Sequence, residues 1–192
     1  RRIMGFFDAP NNNEARVLVP EGRYDAMLYM AVDCGSRNDT FDGVTKVKHE
    51  IYLAWELLGT DMGDGRPYVM GNFYTITDGR FGQYIAKTSN ACKMLKGWTG
   101  LDEKACGRLS LIGELIKKDV PCTISVAEQP GRKDPSMIYS VIESVRPHRP
   151  TKGKELAPRY NTPILYTLDQ QELPEKLPGF LARRIQNCIE NT

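Results

Sequence analysis

A set of basic and aromatic side chains has the composition that binds an unpaired nucleic-acid strand. Cations neutralise phosphates, and flat rings stack on bases without reading their identity. Each stacked base contributes ~1–3 kcal/mol, so two or three exposed rings would suffice. In this 192-residue chain the candidates fall on stretches that we predict to be strands or the loops beside them. They are Lys46, Lys48, Tyr52, Arg66, Phe73, Arg80, Phe81, Tyr84, Lys87, Arg132 and Lys133.

Each candidate also has an ordinary structural interpretation. Phe73, Phe81 and Tyr84 could pack in a core or against a helix instead of meeting a base. Lys46 and Lys48 alternate with apolar residues and therefore lie on the opposite face of their strand, which is either a ligand face or a solvated one. The loop from 129 to 136 that carries Arg132 and Lys133 could likewise be only a solvated loop.

Sequence motifs for catalysis are missing. The chain contains no Walker A motif, no G-x-S-x-G and no H-E-x-x-H. Of its two histidines, His148 lies in a proline-rich stretch, whereas His49 falls in the apolar phase of a strand. We expect His49 to be a buried, hydrogen-bonded core residue rather than a ligand. We therefore expect no enzymatic activity, no cofactor and no metal site.

The order of the predicted elements indicates the fold. Strand-like runs cover about 23–33, 46–57 and 68–77, helical segments fill 89–118, and further strands cover 120–127 and 137–145. The second run has Val47, His49, Ile51, Leu53, Trp55 and Leu57 on its apolar face, opposite the basic and aromatic face. This order predicts a mostly β, five-stranded OB-fold Greek-key barrel with its helix between strands 3 and 4. Such barrels bind oligonucleotides or oligosaccharides on the face of strands 2 and 3.

Composition shifts along the chain predict three parts. Residues 1–16 are expected to be a flexible arm, residues 17–146 the OB-fold nucleic-acid-binding domain, and residues 147–192 a proline-rich arm followed by an amphipathic helix from Pro178 to Glu190. The segment from Cys34 to Thr45, rich in Gly, Ser, Asn and Asp, is expected to be a ligand-edge loop. The C-terminal helix either docks on its own barrel or contacts another subunit, which would make the protein a homo-oligomer.

Composition bounds the cellular setting. The five cysteines are odd in number, widely spaced and without a C-x-x-C pair, which favours a reducing compartment. No run approaches 18 consecutive apolar residues, so we expect a cytoplasmic protein with no membrane partner. The formal net charge of +2 does not by itself indicate nucleic acid.

Several sequence blocks resemble a family of tailed-phage and prophage proteins described as single-stranded DNA-binding proteins. The blocks are Pro20-Glu21-Gly22-Arg23-Tyr24-Asp25-Ala26, Val32-Asp33-Cys34-Gly35, Trp55-Glu56-Leu57, Lys87-Thr88-Ser89-Asn90, Leu95-Lys96-Gly97-Trp98-Thr99-Gly100, Leu111-Ile112-Gly113 and Leu177-Pro178. The family reads K-S-N-L and then W-R-G. Here Thr88 precedes Ser89, Ala91 replaces the Leu and Thr99 replaces the Arg. The resemblance implies the fold and the ligand class, and it assigns no individual contact.

We therefore expect a sequence-independent single-stranded DNA-binding protein that coats single strands in phage replication or recombination, in the host cytoplasm. It would act stoichiometrically, and phage replication or recombination proteins are its candidate partners. The alternative is a non-enzymatic adaptor whose OB barrel binds a replisome or recombination protein. Salt separates the two, because phosphate binding weakens steeply as salt rises and an apolar interface does not.

Overall fold

The protein folds mainly into β-structure. Its structure is a computed structural model that describes residues 18–131, 134–150 and 152–191. The strands are β1 (Gly22–Phe41), β2 (Val44–Leu57), β3 (Val69–Gly79), β4 (Gly82–Tyr84), β5 (Pro121–Pro130), β6 (Ile138–Pro147) and β7 (Ile164–Tyr166). The helices are α1 (Asn90–Thr99), α2 (Glu103–Cys106), α3 (Ser110–Lys117) and α4 (Gly179–Gln186), and a 3₁₀ turn follows at Ile189–Asn191.

The strands form one sheet in the order β4-β3-β2-β1-β5-β6, in which neighbours are antiparallel, and β7 pairs parallel with β1. The prediction of a mostly β protein with helices between its third and fourth long strands is confirmed. The hydrogen-bonded path ends at β4 and at β6, so within the described residues the sheet is open. A cleft of about 330 Å³ lies between β3, β6 and α1 at this opening.

The prediction of a loop from Cys34 to Thr45 is wrong, because β1 continues to Phe41 and pairs with β2 as far as Val44. Asp42 and Gly43 turn the chain with φ of 51° and 74°, the left-handed pair that a two-residue hairpin turn requires. Cross-strand pairing with β2 overrides the low strand propensity of Ser36, Asn38 and Asp39. We call residues 36–49, where β1 and β2 extend together, the long hairpin.

Each face of the sheet carries its own buried cluster. On one face the helices cover Leu53 and Trp55, and Trp98 of α1 packs edge-on against Trp55 with ring centroids 6.3 Å apart. Ser89 caps α1 by accepting from the backbone N–H of Cys92. No helix within the described residues has the length and apolar character needed to cross a membrane.

The other face is covered by the C-terminal segment, which we define as residues 164–191. Its strand β7 pairs with β1 between Met30 and Val32, and its helix α4 buries Leu181 and Ile185 on the sheet. The helix predicted from Pro178 to Glu190 is shorter in the structure, where it runs from Gly179 to Gln186. The C-terminal segment is thus packed on its own sheet.

The link into the C-terminal segment is held by one buried carboxylate. Glu56 of β2 is 1% exposed, and it accepts from the backbone N–H groups of Tyr160 and Asn161, at 2.6 and 2.7 Å, and from the Asn161 side-chain amide at 2.7 Å. These three bonds satisfy an acid that would otherwise be costly to bury.

We predict that Glu56→Ala lowers the free energy of unfolding by about 3 kcal/mol, because it removes the buried carboxylate that accepts three charge-assisted hydrogen bonds. Glu172→Ala, at an exposed position of the same C-terminal segment, is the matched control and should change it by less than about 0.5 kcal/mol. Urea unfolding of both variants measures the difference. Equal effects would show that Glu56 does not anchor the link.

Candidate nucleic-acid interface

The aromatic face of β2 and β3 is buried, contrary to the sequence-based expectation that its rings meet a ligand. Tyr52 is 0% exposed, and its ring centroid lies 4.8 Å from that of Phe73 and 5.5 Å from that of Phe180 of α4. Phe73 is half-buried beneath the same helix, 6.4 Å from Phe180. In this conformation Tyr52 cannot stack on a base.

Charge also ties α4 to this face. Glu50 of β2 accepts two hydrogen bonds from the Arg37 guanidinium, at 3.0 and 3.2 Å, and forms an ion pair with Arg184. The Arg184 guanidinium lies over the Phe73 ring, 4.3 Å from its centroid. Burial disfavours the charge on Glu50, but the bonds from Arg37 and Arg184 outweigh it and lower its pKa.

The apolar area that the C-terminal segment buries favours a stable cover over Tyr52 and Phe73. Burial of Ile164, Tyr166, Leu181 and Ile185 contributes roughly 6–12 kcal/mol, at about 1.5–3 kcal/mol for each side chain. Stacking of bases on Tyr52 and Phe73 would return only about 2–6 kcal/mol. Stacking alone therefore does not offset the loss of this cover, so residues that stay exposed are the better candidates for a ligand surface.

The long hairpin carries the exposed continuation of the same face. Phe41, Lys46 and Lys48 share the face of Glu50 and Tyr52, and the C-terminal segment covers this face only from Glu50 inward. Phe41 is 82% exposed, and Lys48 forms an ion pair with Asp39. Lys46 and Lys48 are therefore accessible, as the alternation predicts.

Three apolar residues of the long hairpin were not predicted to be exposed, and Val47 was expected on the buried apolar face of its strand. Phe41, Val44 and Val47 are all largely exposed there. The signal that could have revealed Phe41 and Val44 was the Asp42–Gly43 pair between them, a strong hairpin-turn dipeptide. Exposed apolar side chains at a hairpin tip are unusual enough to mark an interaction site when they cluster.

A second, shorter hairpin stands beside β2. We call residues 77–84 the short hairpin, in which Asp78 pairs with Gln83 across β3 and β4. Its tip presents Arg80 and Phe81, with the guanidinium 5.6 Å from the ring centroid, and Phe81 is 96% exposed. Tyr84 is exposed and leans over Gly79, where an added Cβ would come within 2.8 Å of the ring.

The remaining sequence candidates lie apart from the hairpins. Arg66 is in the β2–β3 loop, at the opposite end of β2 from the long hairpin, and it pairs with Asp64 at 2.6 Å. Lys87 is exposed in the link between β4 and α1. Arg132 and Lys133 lie outside the described residues.

His49 joins the two hairpins and the C-terminal segment. It is 4% exposed, which confirms the expectation of a buried histidine. Its Nε2 is 2.6 Å from Asp33 Oδ1 on β1, and its Nδ1 is 3.2 Å from Gln83 Nε2 and 3.3 Å from Asp78 Oδ1 on the short hairpin. Glu190 Oε1, from the 3₁₀ turn, lies 3.7 Å from Nδ1.

Ser36 completes a Ser-His-Asp arrangement at this junction. Its Oγ is 3.3 Å from His49 Nδ1, and the opposite ring nitrogen meets Asp33. Ser36 is only 6% exposed, and its backbone N–H donates to Glu190 at 2.8 Å, so a substrate carbonyl cannot reach Oγ in this conformation. Among the residues that the structure describes, no group of three or more His, Cys, Asp and Glu side chains is arranged to hold a metal ion.

Comparison with known proteins identifies no relative of this chain. No family model matches the chain, and neither the curated proteins nor the solved structures contain a match.

Proposed function

We propose that the protein is an OB-type barrel that binds single-stranded DNA stoichiometrically, without a cofactor. The observation that carries the fold proposal is the strand order β3-β2-β1-β5-β6, which is the order of the five strands in an OB barrel. The helices between β3 and β5 fit the same scheme, and α1 spans the opening between β3 and β6 where an OB barrel closes.

The long and short hairpins form the proposed binding surface. In an OB-fold the connection between the first two strands is a ligand edge, and here it is the long hairpin. It offers Phe41 with Lys46 and Lys48, and the short hairpin adds Arg80 and the nearly fully exposed Phe81. Rings for stacking beside cations for phosphates are the combination that sequence-independent single-strand binding needs.

The biological role proposed from the sequence resemblance is coating of single strands during phage replication or recombination. Proteins of those processes are then the partners that we propose, and the host cytoplasm is the proposed location. Contacts through another copy of the chain would need a surface other than the C-terminal segment's apolar side, because Leu181 and Ile185 are already buried on the sheet.

A protein-binding adaptor is the second candidate function. It is favoured by the exposed apolar pair Phe41 and Val44 on one face of the long hairpin, which could pack against an apolar partner surface. The net charge of the two hairpins is small, since Asp39, Asp42 and Asp78 offset most of their cations. Salt dependence therefore decides between the candidates.

We predict that the protein binds a fluorescein-labelled oligothymidylate well above the equivalent duplex, with little dependence on base sequence, because stacking needs unpaired bases. Affinity should fall steeply between 50 and 200 mM salt, conditions that span the range where counterion release is measured. Anisotropy titrations with both oligonucleotides at both salt concentrations test this. Equal affinity for single strand and duplex, or no binding to either, would overturn the proposed function.

A further inference from the structure

One nitrogen of His49 has partners of two opposite kinds. Nδ1 faces the Gln83 amide, a donor, at 3.2 Å and the Ser36 hydroxyl, which can donate or accept, at 3.3 Å. It also faces two carboxylates, Asp78 at 3.3 Å and Glu190 at 3.7 Å. A neutral imidazole that keeps its proton on Nε2 for Asp33 can only accept at Nδ1, whereas an imidazolium can only donate there.

The protonation state of His49 therefore selects its partners. When neutral, Nδ1 accepts from Gln83 or Ser36. When charged, Nδ1 loses the Gln83 amide as a partner and donates, with the carboxylates of Asp78 and Glu190 as the acceptors that its charge favours. Asp78 and Gln83 face each other across the short hairpin, so the exchange moves the hydrogen bond from one strand of that hairpin to the other.

The charges around His49 come from three elements. Asp33 lies on β1, Asp78 on the short hairpin and Glu190 in the C-terminal 3₁₀ turn. Burial would lower the pKa of His49, but the hydrogen bond to Asp33 and the charges of all three carboxylates outweigh it and raise the pKa above its ordinary 6.5. Burial opposes ionisation of Glu190, but the bonds from Ser36 lower its pKa to about 2, so it stays charged while His49 titrates.

We propose that His49 is a positioning residue of the two-hairpin surface, and that its protonation sets how the short hairpin is held and how strongly the surface binds a nucleic-acid phosphate chain. This inference rests on the proposed function. The charged ring offsets the carboxylates beside the hairpins, and losing that charge leaves a negative cluster that repels phosphate.

The sign of the pH dependence follows from the raised pKa. Because the folded pKa lies above the unfolded value of about 6.5, the stabilisation by the imidazolium is complete below pH 6.5 and is lost as pH rises through the folded pKa. Affinity for single-stranded DNA should fall several-fold over the same window. In His49→Gln, which cannot titrate, this step should disappear.

Nuclear magnetic resonance tests the switch directly, because the chain has only two histidines. In the full protein, ¹⁵N-histidine signals give both titrations, and His148→Gln assigns them. We expect His49 to titrate above 6.5 and the Gln83 side-chain amide to shift with the same midpoint. Asp78→Asn, at an exposed hairpin position, should lower that midpoint by removing a charge that favours the imidazolium.

Affinity for oligothymidylate is then measured from pH 5.5 to 8.5 on the unaltered protein and on His49→Gln. Two results overturn the partner exchange: a His49 titration midpoint at or below pH 6.5, or a Gln83 side-chain amide signal that does not shift with the His49 midpoint. Matching titrations with pH-independent affinity overturn the positioning role. Absence of DNA binding at every pH rejects the proposed function and the positioning role, and the resonance titrations still decide the partner exchange.

Discussion

Replacing Tyr52 with Ala should lower the free energy of unfolding by about 3–5 kcal/mol, as truncation of a fully buried aromatic ring does. Tyr52 packs between Phe73 and Phe180 and has no exposed surface, so its ring supports the seat of α4. For a chain of this length the melting temperature should drop by roughly 10 °C. Differential scanning calorimetry and urea unfolding measure the loss.

Phe81→Ala is the matched control, because this ring is nearly fully exposed. It should leave the melting temperature unchanged and weaken binding to single-stranded DNA by ~1–3 kcal/mol, the contribution of one stacked base. The reverse pattern, an intact fold with lost binding in Tyr52→Ala and no binding effect in Phe81→Ala, would return the ligand to the β2–β3 face.

The second large effect concerns charge on the long hairpin. Reversing Lys46 and Lys48 together to Glu should weaken binding by at least ten-fold at low salt and flatten the dependence of log K on log salt by about one unit for each lost phosphate contact. Lys46 and Lys48 lie on the exposed part of their face, so both can contact a phosphate. Because Lys48 is already paired with Asp39, the smallest expected change is the loss of the Lys46 contact alone. Anisotropy titrations at four salt concentrations give the slope.

An equal charge change at the other end of the sheet controls for net charge. Arg66→Glu with Lys176→Glu alters the chain by the same amount, and both residues are exposed. Arg66 lies in the β2–β3 loop, and Lys176 precedes α4. The residues that approach the long hairpin come later, namely Arg184 near the end of α4 and Glu190 in the 3₁₀ turn. The slope should stay the same in this variant. A similar flattening in both variants would mean that overall charge, not the long hairpin, governs binding.

The alternation along β2 predicted much of the sheet and part of the site. It correctly predicted that His49 and Ile51 are buried and that Lys46 and Lys48 are accessible, but its placement of Val47 on the buried face is wrong, because that residue lies on the long hairpin beyond the core and is 62% exposed. It could not show that the opposite face is buried from Glu50 onward, because that cover comes from α4, more than a hundred residues later. Tyr52 and Ala54, apolar residues in the phase of Lys48, were the local sign that this face needed a cover.

The two shortest strands could not be predicted from the sequence. β4 and β7 have three residues each, fewer than a periodic pattern needs, and β7 is specified by its pairing with β1. The long hairpin was misread for a related reason, since Ser36, Asn38 and Asp39 favour loops and only pairing with β2 holds them in a strand. Local propensity therefore hid the surface that we propose to bind DNA.

Photo-crosslinking tests the central claim most directly. The full protein, irradiated with a single-stranded oligonucleotide that carries 5-bromouracil, is digested and its crosslinked peptides are identified by mass spectrometry. We predict crosslinks at Phe41, Phe81 or Tyr84, and their loss when unlabelled single strand is added in excess. Crosslinks at Tyr52 or Phe73 without any on the two hairpins, or none that unlabelled single strand competes away, would contradict this account.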